Sequence, residues 1–548
     1  MNRQSIRTVR EWLSGYGSAK VLLLLCFCLA ALTAVGCLCL HDCPGKAALA
    51  KLAAAVAVFA FFSLFPKVTV IGSTDFLCIA LMLWTIYEAV LGAFQLYGPA
   101  GNGIRIFAIT GSFDNPNPYA VLLSASACVL VLWRRKQKNA VLRAVATAAV
   151  MLSLTMLPAT RCRAAWAGLG AGVLISVFPF WKMSTARAVA FGLVGVMLMS
   201  GLYFWKKQSA DGRLQLWHIS CMAIGSGAAG GLLGHGPGHF APAAAAEQLE
   251  FFDSRISSDG YAPVVPDAVI KQCQISQPMV FAYNDLLQSG VEMGLFGMLL
   301  LAAVNLLSLG RLLCCGSPLA GGMVVLSVSG LFMYTLCLWQ FFLLNAAFVG
   351  TAACNPDNGC AGKWRVLAGT TAVLAPIALM LPWVADRCRN ITGWQMESHL
   401  LNSGDYAVYA RCEEPRSEYL SDIPAFMCGY SFALSQAGMV EKSDSIARIA
   451  YSQSGNPCFL VQLGDNRMLK REYEAAADCY MRAFISFPDR LLPLVRLARC
   501  YAAWGDEPGL ESVKRFVSTF HTHVESDETA ALRDALETIA IEKCHEME

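Results

Sequence analysis

Before residue 386 the chain is a succession of apolar runs, most of them about 20 residues long, separated by short polar or basic segments. At a rise of 1.5 Å per residue such a run makes a helix about 30 Å long, enough to cross a bilayer's hydrocarbon core. In that solvent the backbone must satisfy its own hydrogen bonds, so consecutive runs of this length dictate an all-α, polytopic transmembrane helix bundle. Composition agrees. Of the 548 residues, 56% are hydrophobic and only 15% charged, well outside the soluble norm. A net charge of +3 is too small to argue for nucleic acid, and the basic residues sit at the ends of apolar runs.

Those basic residues set a topology. Arg3, Arg7, Arg10 and Lys20 precede the first run and place the N-terminus in the cytoplasm. The first run, 21–40, is long and has no small-residue cleavage site directly after it, so it reads as a retained span. Further spans read as 48–66, 75–97, 118–133, 140–158, 164–181 and 187–205. The clusters at 134–138 and 182–187 then fall in cytoplasmic loops, in agreement with the N-terminus. Loops 98–117, 159–163 and 206–284 face outward. Beyond them, 286–308 reads as a span, the apolar stretch 318–354 divides near Trp339 and Gln340 into two, and 366–384 exits outward. The expectation is about eleven spans in a membrane domain 1–385, with a large outward loop at 206–284 and a soluble domain at 397–548 on the same side.

The soluble tail carries a repeat. In CFLVQLGDNRMLKREYEAAADCYMRAFISFPDR, the residues Leu460, Leu463, Gly464, Ala476, Tyr480, Ala483 and Pro488 fit the 34-residue tetratricopeptide template. A second unit begins in register at Leu494, Leu497, Ala498 and Tyr501, and 421–453 has the size of an earlier helix pair. Small residues at Gly464, Ala476 and Ala483 allow paired helices to approach closely. The chain has 22 cysteines, most in apolar runs where they act as small hydrophobes; the seven of the tail lack CxxC spacing. Neither a zinc site nor a complete disulfide framework follows.

The charged and Gly/Pro/Asn-rich segments of the outward loops are the candidates for chemistry. GNGIRIFAITGSFDNPNPYAVLL carries Arg105 and Asp114, and its Asn-Pro-Asn-Pro sequence sets a turn into the next span. ATRCRAAWAG places Arg161 and Arg163 outward, against the positive-inside tendency, where two guanidinium forks suit a phosphate-bearing headgroup. The long loop holds Arg213 before an amphipathic or re-entrant stretch, and then the glycine-rich His235-Gly236-Pro237-Gly238-His239. The two histidines have i, i+4 spacing, but the intervening Gly-Pro-Gly argues against a helix and hence against a metal pair. The loop closes with Tyr283, Asn284, Asp285 and Gln288 at the outer end of a span, and Glu292 one turn deeper, where a carboxylate is costly unless paired or functional.

Taken in order, GSFDNPNPYAVLL, ATRCRAAW, SADGRLQLW, GLLGHGPGHF and AYNDLLQSGVEMGLFG resemble the O-antigen ligase family over roughly residues 75–355. The resemblance implies an enzyme of the bacterial inner (cytoplasmic) membrane, a glycan ligase or polymerase. Such enzymes transfer a glycan from an undecaprenyl-diphosphate carrier to the hydroxyl of an acceptor glycolipid, glycan or protein on the periplasmic face. It implies no cofactor and no metal. By the same resemblance Arg213 with Arg161 or Arg163 would clamp the diphosphate, Arg105 would help, and Asn284 and Gln288 would line the substrate site. Family ligases often carry histidine just before the asparagine matched by Asn284; this chain has Tyr283 there. Asp285, Asp114, His235 or His239 are then the candidate bases. The helical tail would serve a periplasmic protein partner. A non-catalytic membrane scaffold and a transporter of the lipid-linked glycan are the alternatives of different class, the latter predicting charges midway through spans rather than at their ends.

Overall fold

The computed structural model describes residues 3–40, 42–64, 67–68, 71–98, 107–177, 201, 204, 207–354, 363–522 and 526–540. These residues form helices apart from two short antiparallel hairpins, Lys67–Val68 with Ile71–Gly72 and Ser257–Ser258 with Pro263–Val264. The chain is therefore all-α. Seven helices are long and apolar enough to cross a membrane, and three shorter apolar ones accompany them. The expected span 187–205 lies almost entirely outside the described residues.

In chain order the membrane helices are α1 (Tyr16–Leu40), α2 (Cys43–Leu64), α3 (Ser73–Tyr97), α4 (Pro116–Arg134), α5 (Ala140–Thr160) and α6 (Arg163–Val177), then α7 (Asp285–Cys314), α8 (Leu319–Gly330), α9 (Trp339–Ala353) and α10 (Lys363–Ser403). The apolar stretch 318–354 divides as expected, because α9 begins at Trp339. Its two halves have 12 and 15 residues, at most about 23 Å each and so shorter than a hydrocarbon core of about 30 Å, and a single 3-10 turn, Thr335–Cys337, lies in the connection between them.

Polar side chains sort the helix ends into two sets. At one end Asp75 accepts from the indole of Trp133, Lys136 donates to the Gly316 carbonyl at 2.6 Å, and Arg311 donates to the carbonyls of Leu13, Gly15 and Ala352. At the other end Gln95 holds Thr110 and Gly111, Phe113 stacks on Phe341 at 5.9 Å, Asp42 meets His239, and Lys51 donates to Leu336 and Cys337. The basic cluster Arg134 to Lys138, expected in the cytoplasm, belongs to the first set; the one expected at 182–187 lies outside the described residues.

The second set also holds the long loop and the tail. In the loop, helices Lys207–Ser226, Phe240–Asp253 and Asp267–Gln274 fold over the bundle end. In the tail, helices Pro424–Gln436, Val440–Ser454, Cys458–Leu469, Tyr473–Ser486, Leu492–Trp504 and Glu507–Thr519 each pack on the next. The pair starting at Cys458 and Tyr473 is followed by a pair starting at Leu492 and Glu507, 34 residues on in both cases. Gly464 is needed because a Cβ there would strike the Tyr480 ring.

The expected boundary between membrane part and tail has no break in the backbone: α10 runs 41 residues through it. Its outer half already belongs to the tail, with Arg387 ion-paired to Asp422 at 2.7 Å, Arg416 to Glu397 at 2.7 Å, and Trp394 edge-on to Phe426.

Loop and tail share one hydrophobic core, in which Phe240, Phe251 and Phe252 join Phe459, Tyr480 and Phe484. Gln248 donates to the Ser486 carbonyl at 2.7 Å, Tyr501 to the Tyr261 carbonyl at 3.0 Å, and Ser512 to Asp259 at 2.7 Å. Gly455, at φ 62°, turns where Ala241 and Ala245 leave no room for a side chain. A common core requires a common side. A membrane-impermeant thiol reagent is therefore expected to label single cysteines placed at Glu250 and at Ser398 from the same side. Phe252→Ala, removing a fully buried ring at a cost of about 3–5 kcal/mol, should speed proteolysis of the tail.

Candidate functional site

At the bundle end beneath the loop, Arg213 and Arg163 approach one another, with exposed Arg161 two residues from Arg163 in the chain. Helix α5 carries Pro158 in its last turn and ends in a left-handed turn at Arg161, φ 50°, whose N–H donates to the Pro158 carbonyl. This reversal puts exposed Arg161 and half-buried Arg163 two residues apart at the mouth of α6. Across from them, Arg213 on Lys207–Ser226 lies over the Tyr283 ring, 5.4 Å from its centroid, and close enough to Arg163 for their charges to repel. No carboxylate among the described residues pairs with Arg213. Burial pulls its guanidinium below the usual arginine value, opposed by the tyrosine hydroxyls of Tyr283 and Tyr334 and the Cys162 thiol. Two like charges held this close, with Arg213 partly desolvated and without a carboxylate partner among the described residues, suit an anion.

The next wall comes from Tyr283-Asn284-Asp285 and the α8–α9 connection. Tyr283 has φ 51°, a left-handed conformation that costs a bulky residue about 1–3 kcal/mol and is held only where its surroundings fix it. They do. Asn284 caps α7 by accepting from the Leu286 and Leu287 N–H groups, and its amide donates to the Leu331 carbonyl at 3.2 Å. Asp285, buried in the first turn, accepts from the Thr335 hydroxyl and from the Leu336 N–H at 3.0 Å. Lys51 reaches the same connection from α2, donating to Leu336 and Cys337. Tyr334 is thereby fixed in a parallel stack with Phe281 at 4.3 Å and edge-on to Tyr283 at 5.1 Å.

These contacts sort the residues expected at a site. Arg163, Arg213 and Asn284 belong to the assembly, with Arg161 at its rim. Asp285 is present, but both its oxygens are committed to holding the α8–α9 connection. Gln288 is buried and internally paired, accepting from the Ala282 N–H and donating to Glu292. His235 and His239 serve a different feature. Helix α7 breaks at Gly294, φ 68°, and the glycine-rich loop fills the break: His235 and Gly236 donate their N–H groups to the Val291 and Glu292 carbonyls, and Phe296 donates to Leu232. The His235 ring nitrogen meets the Ala223 carbonyl at 2.8 Å. Both ring nitrogens of His239 face acceptor oxygens, Pro237 at 3.1 Å and Asp42 at 2.6 Å, so neither is open to take a substrate proton. Arg105 lies outside the described residues. Asp114 is exposed at the rim and near enough to Tyr334 for their charges to couple.

Several contributors escaped the sequence reading. Glu88, fully buried in α3, accepts from the Ser112 N–H at 2.9 Å and from Trp84, and with Gln95 it folds the 110–112 segment against the bundle just ahead of Asp114. Lys51 and Asp42 were also passed over. A charge inside an apolar run is costly enough to mark Lys51 and Glu88 as residues with work to do. Nothing local marks Tyr334 or Trp217, whose roles depend on what lies opposite. No group of three or more metal-ligating side chains occurs among the described residues. Compared with protein-family models and with curated proteins, the chain matches none.

The Asp285 buckle makes a measurable demand. Thr335→Val leaves a buried carboxylate short of one donor and should cost about 1–3 kcal/mol, seen as a lowered melting midpoint of the detergent-solubilised protein. Thr335→Ser, which keeps the hydroxyl, should restore most of it.

Proposed function

We propose that this protein is an inner-membrane glycosyltransferase of the O-antigen ligase type, moving a glycan from an undecaprenyl-diphosphate carrier to an acceptor hydroxyl on the periplasmic face. The observation that carries the reading is Arg213, half-buried without a carboxylate partner among the described residues and set beside Arg163 at the bundle end opposite the basic cluster Arg134 to Lys138. By the positive-inside tendency that end is periplasmic, and with it the loop and the tail, which in this reading is tetratricopeptide-like and receives a periplasmic protein partner. Five motifs in family order add the resemblance.

In the reaction the acceptor oxygen forms a bond to the anomeric carbon while the bond from that carbon to the diphosphate oxygen breaks. Negative charge grows on the leaving diphosphate, and Arg213 with Arg163 and Arg161 stabilises it in place, without having to reorganise as water would. The acceptor's proton goes to a base. Asp285 and His239 are committed to the fold and His235 to the Ala223 carbonyl, which leaves Asp114, exposed beside the rim, for that role. Lipid A-core, a growing glycan and a protein remain alternative acceptors with the same chemistry.

Purified protein in detergent, given an undecaprenyl-diphosphate-linked oligosaccharide and candidate acceptors, is expected to transfer the glycan in the presence of EDTA. Arg213→Ala should lower the rate at least about 100-fold, the scale for removing one preorganised donor from a developing anion. Asp114→Asn should lower kcat with little change in donor binding. Donor binding without transfer to any acceptor would favour a transporter of the lipid-linked glycan; full activity in Arg213→Ala would favour a scaffold.

A further inference from the structure

The surroundings of Arg213 hold more than charge. Trp217 lies four residues along the same helix and therefore on the same face. Its ring packs on Phe332 of the α8–α9 connection, with centroids 6.1 Å apart, and its indole N–H is shut off from solvent without an acceptor among the described residues. The amide of Gln215, between the two in sequence, is likewise shut off and unpartnered. A buried donor left unsatisfied costs about 1–3 kcal/mol, so an indole N–H without an acceptor and a guanidinium without a carboxylate, on one helix face, point to a ligand that carries acceptors.

The facing wall is aromatic. Phe281, Tyr283 and Tyr334 form one cluster, rigid because Lys51, Asn284 and Asp285 clamp both of its backbone segments. A pyranose ring has the matching two-sided chemistry: its faces present C–H groups that stack on aromatic rings, while its edge carries hydroxyls that accept from N–H donors.

The geometry points to a sugar subsite formed by Trp217, Tyr283 and Tyr334 beside the Arg213 clamp, taking the first sugar of the carrier-linked glycan. This rests on the reading of the arginines as a diphosphate clamp and adds to it: the arginines hold the carrier, whereas the aromatic wall and the indole N–H recognise what the carrier bears. Tyr283 then has a reason to stand where family ligases often have histidine. It serves as a platform, with Arg213 over its ring and Tyr334 perpendicular to it.

Binding of two probes to the full-length protein in nanodiscs tests this, undecaprenyl diphosphate and undecaprenyl-diphosphate N-acetylglucosamine. Wild type is expected to bind the glycosylated lipid at least about tenfold more tightly, the scale of one good hydrogen bond to a desolvated donor. Trp217→Phe, which keeps the ring contact with Phe332 and removes only the N–H, should erase most of that preference and leave affinity for the bare carrier unchanged. Tyr334→Leu should erase it as well, while Tyr334→Phe keeps it. Arg213→Ala should weaken both lipids together. Equal affinity of wild type for the two lipids, or a Trp217→Phe protein that keeps the full preference, overturns the sugar subsite. Failure of wild type to bind either lipid overturns the carrier reading instead.

Discussion

One buried carboxylate holds the functional end of the bundle together. Asp285 stands at the first turn of α7 and accepts from Thr335 and Leu336, while Lys51 takes the carbonyls of Leu336 and Cys337 from the other side. The α8–α9 connection is irregular backbone apart from one 3-10 turn, packed between helices where unsatisfied N–H and C=O groups are expensive, and these side chains supply its partners. Lys51 lies near enough to Asp285 and Glu292 for their charges to interact. Their value lies less in net stability than in the single arrangement they enforce. Tyr334, Tyr283 and Phe281 owe their positions to it.

The same constraint explains the glycine-rich loop. A transmembrane helix broken at Gly294 exposes carbonyls at 291 and 292, and the N–H groups of His235 and Gly236 satisfy them. Glycines at 234, 236 and 238 adopt positive φ and let the loop backbone come that close. The residues that looked most like catalytic histidines are thus part of a seal between loop and span. Arg213, on the helix just before this loop, is held over the bundle end by the seal on one side and by the core shared with the tail on the other. Tail and site are mechanically joined: the helix Phe240–Asp253 touches both Val440–Ser454 and Tyr473–Ser486.

How far the sequence could be read depended on whether the deciding force was local. Asn115 caps α4 and Pro116 opens it, in keeping with the turn expected from the Asn-Pro pattern. Asp285 could be recognised as a candidate base, yet its ties could not, because a carboxylate poised as a base and one tied to Thr335 have the same local sequence. The setting of His239 was hidden for a related reason, since its partner Asp42 lies 197 residues away.

The sequence by itself determined that this is an all-α membrane protein with a helical tail, because run length against bilayer thickness and the small-residue repeat act within a segment. Tertiary structure alone decided that loop and tail form one body, that the histidines close a broken helix, and that Arg213 meets Arg163 and an aromatic wall. Those outcomes depend on which buried donors and charges find partners across tens or hundreds of residues. No local pattern encodes that pairing.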